Sequence, residues 1–386
     1  MKFIHFGCWN KGYCNTINTN INGLSATMNL LRETVKIAYE KNDRYEFISV
    51  AGDNYYATQV KEPVEHAVFD KTNFDSGFNC LPKDIKKIII LGNHEIEKNV
   101  EFDGSVVNCG SLIKQVELSL IDPSIKYFND MMCIYKNNTL ILFIDTTIYT
   151  MKEQKINESC YKTLDIEGGV TYKVFKKSSI DENESIDELV KYMNSRIEES
   201  INEFTTNKKG DFKNLIIIGH APIYAMKTKI NKTGEKINKV YSIQKFISFF
   251  NTNLIPVLSK NNIKTYYLCA DTHIYQKGNI IFDNLDYKVE QYIVGTGGAH
   301  QDMISEKLHE SKENADNMLE YNIVEQSNKF GFITVDIVDG NVNILYNSVS
   351  ILILNGRGVK IDVNQDILFY NKYMKYKQKY INLKKN

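Results

Sequence analysis

Seven times along this chain a short apolar run stops abruptly at a small or polar residue, and that rhythm restricts the possible folds more than any other feature. Residues 3–6 run into Gly7-Cys8, 47–51 into Gly52-Asp53, and 88–91 into Gly92-Asn93-His94. Downstream, 140–144 end at Asp145-Thr146, 215–218 at Gly219-His220, 266–269 at Ala270-Asp271-Thr272-His273, and 292–294 at Gly295-Thr296-Gly297-Gly298. Apolar runs this short suit strands buried on both faces. Stretches with helical spacing, residues 28–39, 187–204 and 243–258, lie between them. Alternating strands and helices predict a layered α/β domain. In such sheets the loops diverge beyond the carboxyl ends of the strands and leave a crevice where ligands collect, and the polar residues named above all fall at such ends.

The polar stretches 149–183 and 301–327 read as surface excursions. Residues 330–338 and 342–346 flank Asp339-Gly340-Asn341, a strong hairpin signal. With no Pro/Ser linker and no internal repeat, one large domain over residues 1–350 is expected, followed by an extension, 351–386. In that extension Phe369, Tyr373, Tyr376, Tyr380 and Leu383 form a stripe at helical spacing, and residues 366–386 hold six lysines against one acid. The spacing predicts a C-terminal amphipathic helix with a basic outer face. It would pack on its own domain, on a second copy, or on another protein partner.

Composition narrows the partners. Lys plus Arg equals Asp plus Glu at 47 each, so the net charge is zero and no global field attracts nucleic acid or an anionic membrane. No apolar run approaches the roughly 18 residues of a membrane helix, and the N-terminus lacks the pattern of a signal peptide. Seven cysteines, an odd number without a CxxC pair, predict no complete disulfide framework and a reducing, cytoplasmic setting.

Asp53, Tyr56, Asn93, His220 and His273 are the oxygen and imidazole types that hold hard or borderline cations. Each alone reads equally well as a loop cap, but all five follow buried-strand signals. The strings Gly52-Asp53-Asn54-Tyr55-Tyr56, Gly92-Asn93-His94-Glu95, Gly219-His220-Ala221-Pro222 and Asp271-Thr272-His273, in that order, resemble those of the calcineurin-like metallophosphoesterases. Within that superfamily they resemble the purple acid phosphatases. Asn10 stands where most relatives carry the histidine of Asp-x-His, Tyr56 supplies the tyrosine used instead, and Gly7-Cys8-Trp9 is similar to a Gly-Asp-Trp motif. The resemblance spans about residues 3–346 and includes Phe143-Ile144-Asp145-Thr146.

What the resemblance implies is a four-layer αββα sandwich and two divalent ions, zinc, iron or manganese, about 3.5 Å apart. Asp53 would bridge the two metals. Tyr56 and His273 would bind the first, and Asn93 and His220 the second. His94 would act on the leaving oxygen of a phosphate ester substrate. Two ligand positions depart from the family: Cys8 stands where an Asp is expected, and Asp271 where a His is expected. With Cys8, Asp53, Tyr56 and Asp271 all ionised the ligand set carries four negative charges, against three in the usual arrangement. That neutralises two divalent ions, lowers their Lewis acidity, and favours zinc or ferrous iron over Fe(III).

The expected activity is hydrolysis of phosphomonoesters by metal-bound hydroxide at an altered, weak site. The alternative is a catalytically inactive pseudophosphatase with partial or absent metal, serving as a binding or structural protein. The tail segment from Lys372 to Tyr380 resembles C-terminal elements of proteins from giant DNA viruses of protists, which adds a virion-associated location to the cytoplasmic one. A nucleic-acid phosphodiesterase is disfavoured by the missing Asp-x-His and the zero net charge.

Overall fold

The computed structural model describes residues 1–10, 26–60, 66–96, 99–100, 107–127, 131–151, 160, 164–166, 170–172, 185–207, 212–231, 233–282, 286–299, 301–314, 317–353 and 359–363. Two large sheets dominate it. In the first, the parallel strands Lys2–Phe6, Phe47–Ala51, Lys86–Ile90 and Ile125–Tyr127 lie side by side, and Phe330–Val338, Asn341–Ile353 and Val359–Val363 extend the other edge antiparallel. In the second, Thr139–Ile144, Asn214–Ile218, Lys264–Cys269 and Tyr287–Val294 form the parallel centre.

The continuous apolar runs follow from burial on both faces. Along the second sheet Ile141, Phe143, Ile216, Ile218, Tyr266 and Leu268 point into the core shared with the first sheet, where Phe143 meets Phe47 with ring centroids 5.9 Å apart. Their neighbours Leu140, Leu142, Leu215, Ile217 and Tyr267 point the other way, into a second core with Leu189, Met193 and Ile197 of the helix Ile186–Asn207. Phe246 and Leu258 come from the helical stretch that starts at Gln244 and ends at Lys260. Each fully buried side chain of this kind contributes about 1.5–3 kcal/mol. Over the first sheet, the helices Ala26–Glu40 and Lys71–Phe78 supply Met28, Leu31, Phe74 and Phe78. The result is helix, sheet, sheet, helix, an α/β sandwich of four layers. Among the described residues no helix is long and apolar enough to cross a membrane.

Two expectations need correction. The stretch 301–327 is not a surface excursion: it contains the strands His309–Asn314 and Asn317–Ser327, the outer strands of the second sheet. Leu319, Tyr321 and Ile323 alternate into the core, a signal masked by the charges around them. The sheet also continues past residue 350, through a strand that runs to Ile353 and its partner Val359–Val363. The cysteines form no complete framework, as expected: Cys109 and Cys160 are joined, Cys80 is disulfide-bonded too, and Cys8, Cys133 and Cys269 are free. Spacing could not reveal a bond between residues 51 apart in sequence. The helix expected over 366–386 lies outside the described residues.

Candidate metal centre

Every expected ligand sits just past a strand, on loops pressed together by glycine. Gly52 has φ +76°, and a Cβ there would stand 2.5 Å from His220 Nδ1. A Cβ on Gly92 would stand 2.3 Å from the Asp53 amide nitrogen. Neither position tolerates a side chain. Cys8, Asp53 and Asp271 themselves take left-handed backbone, with φ of +53°, +50° and +55°. The last strand is followed by the glycine turn 295–298, whose amides bond to the neighbouring loop rather than cradling a nucleotide. Gly297 N donates to Gly7 O at 3.1 Å, and Ala299 N to Cys8 O at 2.8 Å.

These loops gather two groups of donor atoms around Asp53. Cys8 Sγ, an Asp53 oxygen and a His273 ring nitrogen lie within 4.8 Å of one another, and so do atoms of Asp53, His220 and Asp271. The Tyr56 hydroxyl is 3.1 Å from Asp53 Oδ2 and 3.1 Å from His273 Nε2, so it belongs to the first group. In the second, His220 Nε2 is 3.3 Å from Asp53 Oδ1, 3.7 Å from Asp271 Oδ1 and 3.1 Å from Asn93 Oδ1. The two carboxylate oxygens of Asp53 therefore face different groups, the disposition of a bridging ligand. His220 Nδ1 donates to Ala51 O at 2.7 Å, which fixes the ring and turns Nε2 toward Asp53, Asn93 and Asp271. His94 stands at the rim, its Nε2 4.0 Å from Asp53 Oδ2 and its ring 4.5 Å from that of Tyr56. All seven expected ligand residues and His94 thus converge on one crevice.

The chemistry of this donor set suits cations. The Asp53 side chain is only 2% exposed, and among the described residues its ion-pair partners are His94 and His220 alone. Burial works to raise the Asp53 carboxyl, but His220, His94 and His273 outweigh it and hold the group below its ordinary value. Burial works to lower His220, and the charges of Asp53 and Asp271 outweigh that and raise it. Burial, then Asp53 and Asp271, push the Cys8 thiol well up, and burial, then Asp53 and Cys8, do the same to the Tyr56 phenol. A buried cluster of sulfur, phenol, carboxylate and imidazole lacks the positive charge that its ionised form requires, and a pair of divalent cations would supply it.

Several residues that matter here drew no role from the sequence. Glu95, fully buried, accepts from the amides of Gly92 (2.7 Å) and Asp53 (2.9 Å) through Oε2, and of Asn54 (2.8 Å) and Tyr55 (3.2 Å) through Oε1. It ties the Gly-Asp loop to the Gly-Asn-His loop. Its position three residues after Gly92, at the start of the short helix Asn93–Ile96, is half of a capping box and was the available signal. Thr146 Oγ1 accepts from His220 N and Ala221 N, both at 2.9 Å. Asp302 Oδ2 accepts from His273 N at 3.1 Å and pairs with Lys227. Trp9, by contrast, was expected from the resemblance to pack beneath the metal loop, and it does: packed against Phe6 and Phe78, it donates to Asn54 Oδ1 at 3.3 Å.

A cleft of about 490 Å³ opens beside the second group, lined by Asn93, His220 and Asp271 on one side and by Tyr149, Tyr241 and Gln244 on the other. Asp271, with 36% of its side chain exposed, forms the open edge between donor cluster and cleft. The family model for calcineurin-like phosphoesterases matches residues 1–275. Among curated proteins none matches the chain.

Proposed function

The chain belongs to the calcineurin-like phosphoesterases, metal-dependent hydrolases of phosphate esters, and on that footing we propose that it hydrolyses phosphomonoesters at a two-cation centre of the purple acid phosphatase type. Cys8, Asp53, Tyr56 and His273 would hold the first cation, and Asp53, Asn93, His220 and Asp271 the second. Bound there, divalent cations supply Lewis acidity to the phosphoryl oxygens and to the attacking water. The chain's own residues do the rest. His94, at the rim and within reach of Asp53, protonates the departing ester oxygen. Thr146 and Glu95 keep the two loops that present these residues from relaxing.

The observation that carries this reading is that the two substituted positions, Cys8 and Asp271, still aim donor atoms into the clusters. An abandoned site would have no reason to keep a thiol and a carboxylate within 4.8 Å of the remaining donors. The test is the metal content of the purified protein, measured by mass spectrometry after loading with zinc, iron or manganese, together with turnover of an aryl phosphate. Bound metal with turnover, both lost together in Asp53→Asn, is the expected result. No bound metal and no turnover refutes it, and bound metal without turnover leaves the catalytically inactive alternative.

A further inference from the structure

The antiparallel hairpin Tyr224–Ile230 with Lys236–Ser242 overhangs the crevice, and its register sorts its side chains. Ala225 pairs with Tyr241, Lys227 with Lys239, and Lys229 with Ile237, so three lysines and one tyrosine share a face. That face is turned toward the site. Lys227 pairs with Asp302, which also accepts from the His273 amide, Thr228 N donates to Met303 O at 3.2 Å, and Tyr241 lines the cleft opposite Asp271. The ammonium groups of Lys239, Lys227 and Lys229 lie 4.6, 4.9 and 5.8 Å from the centre of the Tyr241 ring.

Only one of the three has a carboxylate. Among the described residues Lys227 pairs with Asp302, whereas Lys229 and Lys239 form no ion pair. Nearby Lys245 is matched by Asp187 at 2.6 Å. Two ammonium groups without a direct ion-pair partner among the described residues therefore flank Tyr241, which lines the cleft, with Asp302 and Asp271 acting on Lys229 from farther off. Burial works to raise the Tyr241 phenol, yet hydrogen bonds from Lys229 and Lys239 and the charge of Lys227 hold it below its ordinary value, so the cluster already draws negative charge toward itself.

We propose that Lys229 and Lys239, placed by the hairpin beside Tyr241, form a second anion subsite, and that the substrate is a phosphate ester whose leaving group carries a further phosphate or carboxylate. The proposal rests on the hydrolase reading for the word substrate, but the subsite itself does not. The cleft is far larger than a phosphoryl group requires and is lined by both Asp271 and Tyr241, so a leaving group lying along it brings its own anion to the ring that the two lysines flank. The lysines occupy the surroundings of the Tyr241 ring, which favours an anion there over a stacked base.

The test compares wild type with Lys229→Met/Lys239→Met, which keeps much of the apolar stem. Calorimetry with methylenediphosphonate and methylphosphonate reads binding without turnover, and steady-state kinetics use phenyl phosphate, 4-carboxyphenyl phosphate and fructose 1,6-bisphosphate. The variant should weaken the diphosphonate and raise KM for the two-anion esters by about tenfold per lysine, with kcat and the phenyl phosphate reaction within about threefold of wild type. Which of the two esters responds distinguishes carboxylate from phosphate. Equal losses for one-anion and two-anion probes, or no loss for either, overturn the subsite. Lysine-dependent diphosphonate binding by a protein that hydrolyses nothing would sustain the subsite while refuting the hydrolase reading.

Discussion

Glu95→Gln isolates what the loop-tying carboxylate does, because the substitution keeps shape and removes one acceptor. Whichever way the amide turns, one pair of buried amides, Asp53 with Gly92 or Asn54 with Tyr55, meets an NH₂ group where an oxygen had accepted. Each orphaned donor costs about 1–3 kcal/mol, hence roughly 2–6 kcal/mol for the pair. An opposing gain exists. Burial first, and Asp53 second, push the Glu95 carboxyl up to about 7, so removing its charge returns about 3 kcal/mol at neutral pH. The net effect on stability therefore lies between a gain of about 1 and a loss of about 3 kcal/mol, and the fold should survive. The loop geometry should not: an amide now repels one end of the segment that presents Asp53 to both donor groups. Loss of a partner behind a ligand typically lowers metal affinity about 10–100-fold. Competition against a chromophoric zinc chelator measures the affinity, and urea unfolding measures the stability. A folded Glu95→Gln protein that holds zinc as tightly as wild type would refute the reasoning.

Two further predictions concern stability. His5, fully buried between the sheets, has Nδ1 3.1 Å from Ser49 Oγ and Nε2 3.4 Å from Cys269 O, and burial lowers its pKa to about 3. The unfolded chain takes up this proton near 6.5 and the folded one near 3, so the contribution is complete above pH 6.5 and falls by about 1.4 kcal/mol per unit as pH drops through that window. Urea midpoints of His5→Gln from pH 4 to 7 should show a correspondingly shallower slope than wild type; parallel slopes would dismiss the assignment. Opening the Cys109–Cys160 bond frees a loop of 51 residues in the unfolded chain, for which chain entropy gives a loss of up to about 4 kcal/mol. Thermal unfolding of Cys109→Ser/Cys160→Ser reads it, and an unchanged midpoint would argue that the two thiols are not joined.

The strands and their ends were legible because a strand buried on both faces has few ways to be written other than a continuous apolar run. The hairpin at Asp339-Gly340 was legible for a related reason: both residues have positive φ, +51° and +76°, as the tight turn requires. Cys8 and Asp271 could be placed at the crevice by position, though only the fold brings them to the same Asp53. What escaped notice was structure carried by polar alternation. Tyr224–Ile230 and Lys236–Ser242 drew no assignment, because most of the second strand is exposed and carries no apolar run. Asn317–Ser327 hid its three inward residues among charges. Glu95 drew no role, since its capping-box spacing points to one amide and not to the four that converge on it.

The backbone at the ligand positions bears on whether the substituted site is still built to work. Three residues that follow strands, Cys8, Asp53 and Asp271, all sit in the left-handed region, where a non-glycine residue costs roughly 1–2 kcal/mol. Asp tolerates that conformation better than most residues, but Cys has no such advantage. Glycine at position 8 would relax the backbone, yet the chain spends that energy to hold a sulfur 3.7 Å from Asp53 Oδ2. Position 271 follows the same logic, with its carboxylate 3.7 Å from His220 Nε2. A strained backbone persists only where the surroundings over-determine it, and here the shared determinant is the direction of a donor atom. The direction of the donor atoms and the conformation their residues adopt both support the proposed metal centre.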